Sequence, residues 1–275
     1  MRKGIQLAYP FEEKRLRTWP TPWIVQPKLD GERCRALIDQ NGRATLLSSE
    51  ENIITSVPHI VHALEELGLS NIELDGELYT HGMPFEEIHS RVGRTVNLHE
   101  DYKDIEYHIF DIVSDDPQSS RIIRTVQLVP DTDYLRAVEF WLAYSLNALM
   151  ERYDNIVVDG YEGFIVRNAF APYVRKRSTS MMKFKPKKFD YYQIVAAEEE
   201  ISIHGDLKNA LGALVLSGAE GGVFRVGTGF TREQRIELWK QRYELPGKIA
   251  EVKYQHLTEK KVPRFPVFVS ILDRI

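Results

Sequence analysis

The chain has 275 residues, of which 43% are hydrophobic and 28% charged, so it can bury the core of one large domain or two smaller ones. A formal net charge of −4 argues against a general nucleic-acid-binding protein that relies on bulk positive charge, and a single cysteine, Cys34, excludes an internal disulfide and a multi-cysteine zinc site. No apolar run approaches the ~20 residues that span a bilayer, and residues 1–10 have no apolar signal-peptide core. We therefore expect a cytoplasmic protein without a membrane partner.

Residues 1–113 predict a mixture of strands and helices. Strands are predicted at 23–26, 32–38, 43–48, 71–80 and 105–113, and helices at 11–17, 58–67 and 84–92. Asn41-Gly42 is a strong hairpin signal between two of these strands. Pro58 in the first turn and Gly68 just past the end are typical of a helix between them. Cys34 alternates with charged neighbours on its strand, which favours a small packed thiol over a catalytic one.

The second half predicts a change of architecture near residue 189. Before that point we expect a strand at 135–143, a helix capped by Ser145, and strands at 162–168 and 180–185. After it, short strands at 191–202, 211–217, 223–227, 249–255 and 266–272 alternate with glycine turns, and Thr231 and Gln234 fit a helix capping box. This pattern is typical of a small Greek-key barrel of the OB type. The predicted domains are therefore 1–189 and 190–275.

One short stretch, Lys28-Leu29-Asp30-Gly31-Glu32-Arg33, concentrates residues suited to chemistry on a phosphate. A lysine amine that loses its proton is a nucleophile, Gly31 allows a tight turn beside it, and Arg33 offers a fork of donors to ribose or phosphate oxygens. The alternative is a solvated turn, because Asp-Gly is a common hairpin signal. Four fixed positions would arise by chance in a chain of this length at a rate of ~0.3%.

A second stretch, residues 174–188, is strongly basic. It contains no acidic residue and carries lysines and arginines at Arg175, Lys176, Arg177, Lys183, Lys185, Lys187 and Lys188. Such a run is usually a solvated face. Here Met181, Met182 and Phe184 are interleaved with lysines, which predicts a strand that presents cations inward.

In chain order the sequence carries five short motifs that together resemble a known set. They are Lys28-Leu29-Asp30-Gly31-Glu32-Arg33, Asp75-Gly76-Glu77, Phe110-Asp111, Glu162-Gly163 and Lys183-Phe184-Lys185-Pro186. This order resembles the nucleotidyltransferase motifs shared by ATP-dependent DNA ligases, RNA ligases and mRNA-capping enzymes. Residues 224–231 and 252–254 are similar to the OB domain of DNA ligases in particular. The resemblance implies an α+β fold: an adenylation domain of antiparallel sheets with flanking helices, followed by an OB-fold β-barrel.

The resemblance implies catalytic roles for four of these residues. Lys28 would attack the α-phosphate of ATP, forming lysyl-AMP and releasing pyrophosphate. Lys183 and Lys185 would face that phosphate and offset its developing charge. Asp30 would act in later steps near the 3′-hydroxyl of a nick.

The same resemblance implies the nucleotide and metal contacts. Arg33 and Glu77 would hold the ribose, Phe110 would stack on adenine, and Gln26 would read the edge of the base. Glu162, with Glu77, would bind a divalent metal ion, Mg²⁺ or Mn²⁺. Each has a structural alternative: Phe110 lies in an apolar strand and could be core, and Asp75 is expected only to support the turn beside Glu77.

Two departures from the family pattern stand out. The family usually carries an arginine after a serine on the strand that follows the first hairpin, and here that position is Ser49. The family's C-terminal Arg-x-Asp-Lys motif, which orients the pyrophosphate, is also altered. Either Arg264 or Arg274 would take that role.

Together the motifs predict an ATP-dependent DNA ligase that joins 3′-hydroxyl and 5′-phosphate ends at nicks in duplex DNA, through lysyl-AMP and an adenylated DNA 5′ end. We expect a minimal two-domain monomer that serves DNA repair, replication or recombination. An RNA ligase or a capping-type nucleotidyltransferase is the first alternative. A non-enzymatic OB-type nucleic-acid-binding protein is the second.

Overall fold

The computed structural model describes residues 4–186, 188–202, 204–218, 222–254, 256–258 and 261–272. The chain divides into two compact units, the first containing Met1–Leu149 and Gly160–Phe184, the second Met150–Asp159 and Lys185–Ile275. This division lies close to the predicted boundary at 189/190, which itself stays a prediction. No helix in the described ranges is long and apolar enough to cross a membrane.

The first unit contains ten strands and most of the helices. Its strands are β1 (Leu7–Pro10), β2 (Trp23–Pro27), β3 (Glu32–Ile38), β4 (Ala44–Ser48), β5 (Ile72–Tyr79), β6 (Glu106–Ile112), β7 (Leu135–Ala137), β8 (Trp141–Ala143), β9 (Phe164–Asn168) and β10 (Arg177–Phe184). Its helices are α1 (Glu13–Leu16), α2 (Pro58–Glu66), α3 (Phe85–Val92) and α4 (Gln118–Leu128), with a 3₁₀ turn at Tyr102–Asp104. Helix α5 (Leu146–Val158) begins in the first unit and continues in the second.

These strands form two five-stranded sheets. One has the order β1-β10-β9-β2-β8 and the other β4-β3-β5-β6-β7. Most neighbours are antiparallel, while β1 with β10 and β6 with β7 are parallel. The predicted hairpin over 32–48 is confirmed as β3 and β4, and Gly42 turns it with a φ of +79°.

A continuous apolar core lies under the second sheet. The inward residues of β3, among them Cys34 and Ala36, are fully buried, which confirms the packed thiol. Helix α2 begins at Pro58 as predicted and buries Ile60 and Leu64, which stand at helical spacing on one face. Burial of that face, more than intrinsic propensity, stabilises so short a helix.

In the first sheet, three phenylalanines pack together between the strands that carry the later motifs. Phe164 on β9 and Phe184 on β10 are register partners and stack with ring centroids 4.9 Å apart. Phe11 meets both rings edge-on, at 5.5 and 5.6 Å. This cluster joins β9, which follows Glu162, to β10, which carries Lys183.

Within the described residues, the second unit contains five longer strands, a short ribbon, one complete helix and most of helix α5. The strands are β11 (Lys188–Ile201), β12 (Leu207–Ser217), β13 (Val223–Val226), β14 (Ile249–Tyr254) and β17 (Val267–Leu272), the ribbon is β15 (His256–Leu257) with β16 (Pro263–Arg264), and the helix is α6 (Arg232–Lys240). The capping box of Thr231 and Gln234 at the start of α6 is confirmed. Asp154 on α5 accepts hydrogen bonds from Gly229 N at 2.7 Å and from Arg235 Nη2 at 2.9 Å.

The predicted OB topology is present, but the expected closed barrel is not. The first half of β11 pairs with β14 and its second half with β12, giving the order β13-β12-β11-β14-β17. Within the described ranges the two edges meet only at an isolated bridge, where Phe268 N donates to Thr228 O at 2.8 Å. The reason is local: β13 ends at Val226, and Gly229, at a φ of +97°, redirects the chain toward α6 before a second ladder can form.

In residues 114–143 one helix was not predicted from the sequence, and the prediction of one strand is wrong. Helix α4 was not indicated by the sequence pattern, and the strand predicted at 135–143 is two three-residue strands in different sheets. Val138 N donates to Ile109 O at 2.8 Å, and the chain then crosses to the other sheet, where β8 pairs with β2. Residues 135–143 form one apolar run in the sequence, and the periodicity of side chains does not show that the chain changes sheets within it.

The phenylalanine cluster predicts a large stability effect. Phe164→Ala should lower the free energy of unfolding by about 3–5 kcal/mol, because it removes a ring that is fully buried against two others. Phe170→Ala, at a site that is 55% exposed, should change it by less than about 0.5 kcal/mol. Urea unfolding of both variants measures the difference. Equal losses would show that the phenylalanine cluster contributes no more to the free energy of unfolding than an exposed ring does.

Candidate active site

A pocket of about 340 Å³ in the first unit is lined by residues from both sheets. Seven of the residues singled out in the sequence line it: Gln26, Lys28, Asp30, Arg33, Glu77, Phe110 and Lys183. Four separate motifs, far apart in the chain, therefore meet in one cavity. The pairing of β2 with β9 and of β3 with β5 brings them together.

Lys28 lies directly after β2 and continues its pairing with β9. Its backbone N donates to Gly163 O at 2.8 Å, and its ammonium forms an ion pair with the Glu162 carboxylate. Both side chains are mostly buried, with 21% and 13% of their surface exposed. The predicted nucleophile thus faces a carboxylate supplied by the fourth motif.

Gly31, just before β3, is required by the close approach of the chain to the paired strand β5. A Cβ at this position would overlap the carbonyl oxygen of Leu78 and approach the Glu77 side chain to 3.0 Å. Any other residue would push β3 away from β5. The glycine of the first motif is therefore explained by close backbone approach beside the pocket.

Arg33 is held in place by Asp75. Its Nε and Nη2 donate to the two carboxylate oxygens at 2.7 and 2.6 Å, and Tyr173 Oη donates to the same carboxylate at 2.6 Å. Burial lowers the pKa of the Arg33 guanidinium, but the Asp75 charge outweighs it and the net pKa is raised. The expectation that Asp75 supports a turn is wrong. Asp75 is fully buried in the middle of β5, where it orients Arg33.

Phe110 is both a core residue and a wall of the pocket. Only 9% of its surface is exposed, and it belongs to the apolar cluster under the second sheet. The guanidinium carbons of Arg33 and Arg167 lie 4.5 and 5.3 Å from its ring centroid. The two interpretations given for this residue are therefore compatible.

Behind the pocket lies a buried polar network that the motifs did not reveal. Arg167 on β9 donates from Nε to Gln26 Oε1 at 2.8 Å and from Nη1 to Asp111 Oδ2 at 2.9 Å. Asp111 also accepts from Arg121 Nε at 2.8 Å, and Gln118 accepts from both arginines. All five side chains are at most 4% exposed. The available signal was an arginine inside the apolar strand Phe164–Asn168, where an unpaired charge would be costly.

Glu77 has an unusual proton affinity. Burial raises its pKa from 4.5 to about 8, although the charges of Arg33 and Lys28 oppose that rise. Arg33 directs its two carboxylate bonds to Asp75, so Glu77 receives only the longer-range attraction. The pocket therefore holds one carboxyl group that is protonated near neutral pH.

The carboxylates fit a metal ion that is held jointly with a phosphate ligand. The described ranges contain no group of three His, Cys, Asp or Glu side chains that could hold a metal by themselves. Mg²⁺ commonly takes one or two carboxylates and completes its shell with substrate phosphates and water. Glu162, which is ion-paired with Lys28, is one such carboxylate. Glu77, whose pKa burial raises to about 8, would serve as the second only after losing its proton.

The remaining predicted residues are distributed over both units. Lys183 on β10 lines the pocket, whereas Lys185 belongs to the second unit. Arg264 on β16 is also in the second unit, with its guanidinium 4.4 Å from the Phe265 ring centroid. Arg274 lies outside the described residues.

Although the family's arginine is replaced by Ser49 in this chain, another arginine lines the same pocket. Ser49 lines the pocket, and so does Arg177 from β10, whose Nη1 donates to Ala8 O at 2.6 Å. An arginine is therefore present in the cavity, although it comes from another strand.

Comparison with known families and proteins agrees with this site. A family model described as an ATP-dependent DNA ligase domain matches residues 6–185, and one described as a DNA ligase OB-like domain matches residues 204–271. A DNA ligase of Haemophilus influenzae is 25% identical over 258 residues, covering 90% of this chain and 85% of its own length. A DNA ligase of Archaeoglobus fulgidus is 25% identical over 299 residues, with 94% of this chain and 52% of its own length covered.

Two solved structures have a similar fold. The Chlorella virus DNA ligase-adenylate has a TM-score of 0.66 at 23% identity, with full coverage of both chains. The ATP-dependent DNA ligase from bacteriophage T7, in complex with ATP, has a TM-score of 0.71 at 17% identity and 98% coverage of both. At such identities the likeness concerns the fold.

The proton on Glu77 predicts a pH-dependent stability. Between pH 4.5 and about 8 the folded chain holds a proton that the unfolded chain has lost, so the free energy of unfolding should fall as pH rises through this window. Glu77→Gln cannot ionise and should lose this part of the dependence. Urea unfolding at pH 5.5 and 8.5 measures it, with exposed Glu86→Gln as the control that should keep the wild-type slope. Identical slopes in all three proteins would contradict the assignment.

Proposed function

Because this chain belongs to the ATP-dependent DNA ligase family, whose domain model matches residues 6–185, we propose that it seals nicks with 3′-hydroxyl and 5′-phosphate ends in duplex DNA. The proposed route passes through lysyl-AMP and an adenylated DNA 5′ end. The observation that carries the proposal is the meeting of Lys28 with Glu162, Arg33, Glu77 and Lys183 around one pocket. Use of ATP and action on DNA follow from the family.

In the first step, Lys28 Nζ attacks the α-phosphorus of ATP. A nitrogen–phosphorus bond forms, the bond to the β-phosphate oxygen breaks, and pyrophosphate leaves. The proton of the attacking amine passes to the Glu162 carboxylate, its ion-pair partner in the pocket. Lys183, on β10 next to the strand that follows Glu162, lines the pocket and offsets the charge that grows on the phosphate. Lys185, two residues further along the chain, is proposed to act on the same charge.

The nucleoside is held by the other pocket residues. Phe110 stacks on the base and Gln26 reads its edge. Arg33, locked by Asp75, and Glu77 bind the ribose hydroxyls. A guanidinium that is already fixed loses little freedom on binding, which favours affinity.

A divalent metal ion, Mg²⁺ or Mn²⁺, would neutralise phosphate charge when bound. Glu162 and Glu77 are the residues that would hold it. Arg177 is placed to contribute the phosphate contact that Ser49 cannot make, because both line the cavity.

The remaining proposed roles concern the nick and the pyrophosphate. Asp30 lies in the pocket and acts near the 3′-hydroxyl of the nick. Arg264, or Arg274 after it, orients the pyrophosphate during the first step.

DNA is held mainly through its phosphates, so the affinity for DNA should fall steeply as the salt concentration rises. The chain acts as a monomer.

Removing the nucleophile should abolish adduct formation. Lys28→Ala should give no covalent label when incubated with α-labelled ATP and Mg²⁺ and run on a denaturing gel, although it should unfold like the wild type. Exposed Lys14→Ala is the control and should label normally. A normal adduct on Lys28→Ala would place the nucleophile elsewhere.

Parallel incubation with α-labelled GTP, and sealing assays on DNA and RNA nicks, separate this function from the capping and RNA-ligase alternatives.

The role of Arg264 or Arg274 in pyrophosphate orientation predicts a separation of steps. The variant that combines Arg264→Ala with Arg274→Ala should lose self-adenylation by on the order of 10²-fold, yet seal a nick whose 5′ end is already adenylated, because no pyrophosphate leaves in that step. Arg242→Ala is the matched control, since Arg242 also lies over an aromatic ring of the second unit, 4.7 Å from that of Trp239. Equal loss of both activities in the double variant would make these arginines DNA contacts instead.

A further inference from the structure

The side-chain amide of Gln26 is held at both of its ends. Its Oε1 accepts from Arg167 Nε at 2.8 Å, and its Nε2 donates to Phe110 O at 3.4 Å. Gln26 is 1% exposed and lines the pocket. Arginine has donors only, so rotating the amide by 180° would place two donors against each other and leave a buried oxygen facing a carbonyl. The amide therefore has one allowed orientation.

Arg167 can impose that orientation because it is itself fixed. Its Nη1 donates to Asp111 Oδ2 at 2.9 Å and to Gln118 Oε1 at 3.3 Å, and only 4% of its surface is exposed. Asp111 is also held by Arg121, which donates at 2.8 and 3.2 Å. A buried arginine in such a network cannot turn away from Gln26 without leaving a charge unpaired.

A fixed amide distinguishes the two purines. The Watson–Crick edge of adenine presents an amine donor beside the N1 acceptor, whereas guanine presents the O6 acceptor beside an N–H donor. An amide that can flip matches either edge. In the orientation imposed here, Oε1 has a second lone pair for the adenine amine, and Nε2 can donate to adenine N1. With guanine, Oε1 would face the O6 acceptor and Nε2 would face the N–H donor, so neither hydrogen bond could form.

We propose that Arg167 is a positioning residue that sets the preference for ATP over GTP by locking the orientation of the Gln26 amide. This rests on the proposed function, in which the base of the nucleotide meets Gln26. Arg167 does not contact the reacting atoms. It acts on selectivity through Gln26, and its effect should appear in the ratio of the two nucleotides.

The test compares initial rates of self-adenylation and self-guanylation of the full chain with α-labelled ATP and GTP. Arg167→Met removes the donors at similar length and should lower the ATP:GTP ratio by about tenfold or more, because a mismatched purine is no longer rejected by a fixed amide. Arg121→Met is the matched control. It breaks the same buried network at Asp111 but does not touch Gln26, so the ratio should stay at the wild-type value.

A second pair of variants decides the matter if Arg167→Met does not fold. Arg167→Lys keeps a donor and should retain a preference for ATP. Gln26→Glu keeps the contact with Arg167 but offers only acceptors, so one of its oxygens opposes N1 of adenine and can accept from the N–H of guanine, and the ATP:GTP ratio should fall. An unchanged or raised ratio for Gln26→Glu would overturn the inference.

The outcomes separate this inference from the proposed function. A folded Arg167→Met with the wild-type ATP:GTP ratio would overturn the inference and leave the ligase proposal intact, since the wild type would still form its ATP adduct. A wild-type chain that forms no adduct with either nucleotide would overturn both. A lowered ratio in Arg167→Met and in Arg121→Met alike would assign selectivity to the network as a whole and would also overturn the specific role of Arg167.

Discussion

The pocket depends on two buried aspartates that are paired across neighbouring strands. Asp75 on β5 and Asp111 on β6 are register partners, and neither is exposed. Two like charges at such positions would repel each other and carry a large desolvation penalty if uncompensated. Arginines prevent this: Arg33 binds the first in bidentate fashion, and Arg121 and Arg167 bind the second. The arginines that line the pocket, Arg33 and Arg167, are thus held by the carboxylates whose charge they compensate.

Arg33 compensates the charge of Asp75 but not that of Glu77, and this difference affects how the two carboxyl groups bind protons. Asp75 receives the full hydrogen-bonding fork of Arg33, while Glu77, two residues along the strand, receives none of it and has a pKa raised to about 8 by burial. One carboxyl group is therefore tied into a bidentate pair with an arginine, and the other has a pKa raised toward neutral pH by burial. Glu162, which precedes β9, forms an ion pair with Lys28, the predicted nucleophile.

Much of the fold was predictable because its signals are local. Pro58 and Gly68 delimit α2, Asn41-Gly42 marks the first hairpin, and Thr231 with Gln234 marks α6, all by backbone preferences that act within a few residues. The closed barrel was wrong because closure depends on whether the two edge strands, far apart in the chain, are long enough to pair. That length is decided at Gly229, where the chain turns away.

By itself, the sequence determined the order of the motifs and thereby the family, since lysine, glycine and acidic residues at fixed spacings record local chemistry. Only the tertiary structure decided which of these side chains share a cavity and which buried groups hold them. Asp75 looked like a turn residue and Arg167 belonged to no motif, because the partners that give them a role, Arg33 and Gln26, lie 42 and 141 residues away in the chain. Such pairings are set by strand register and by the need to compensate every buried charge, and neither is visible in a short stretch of sequence.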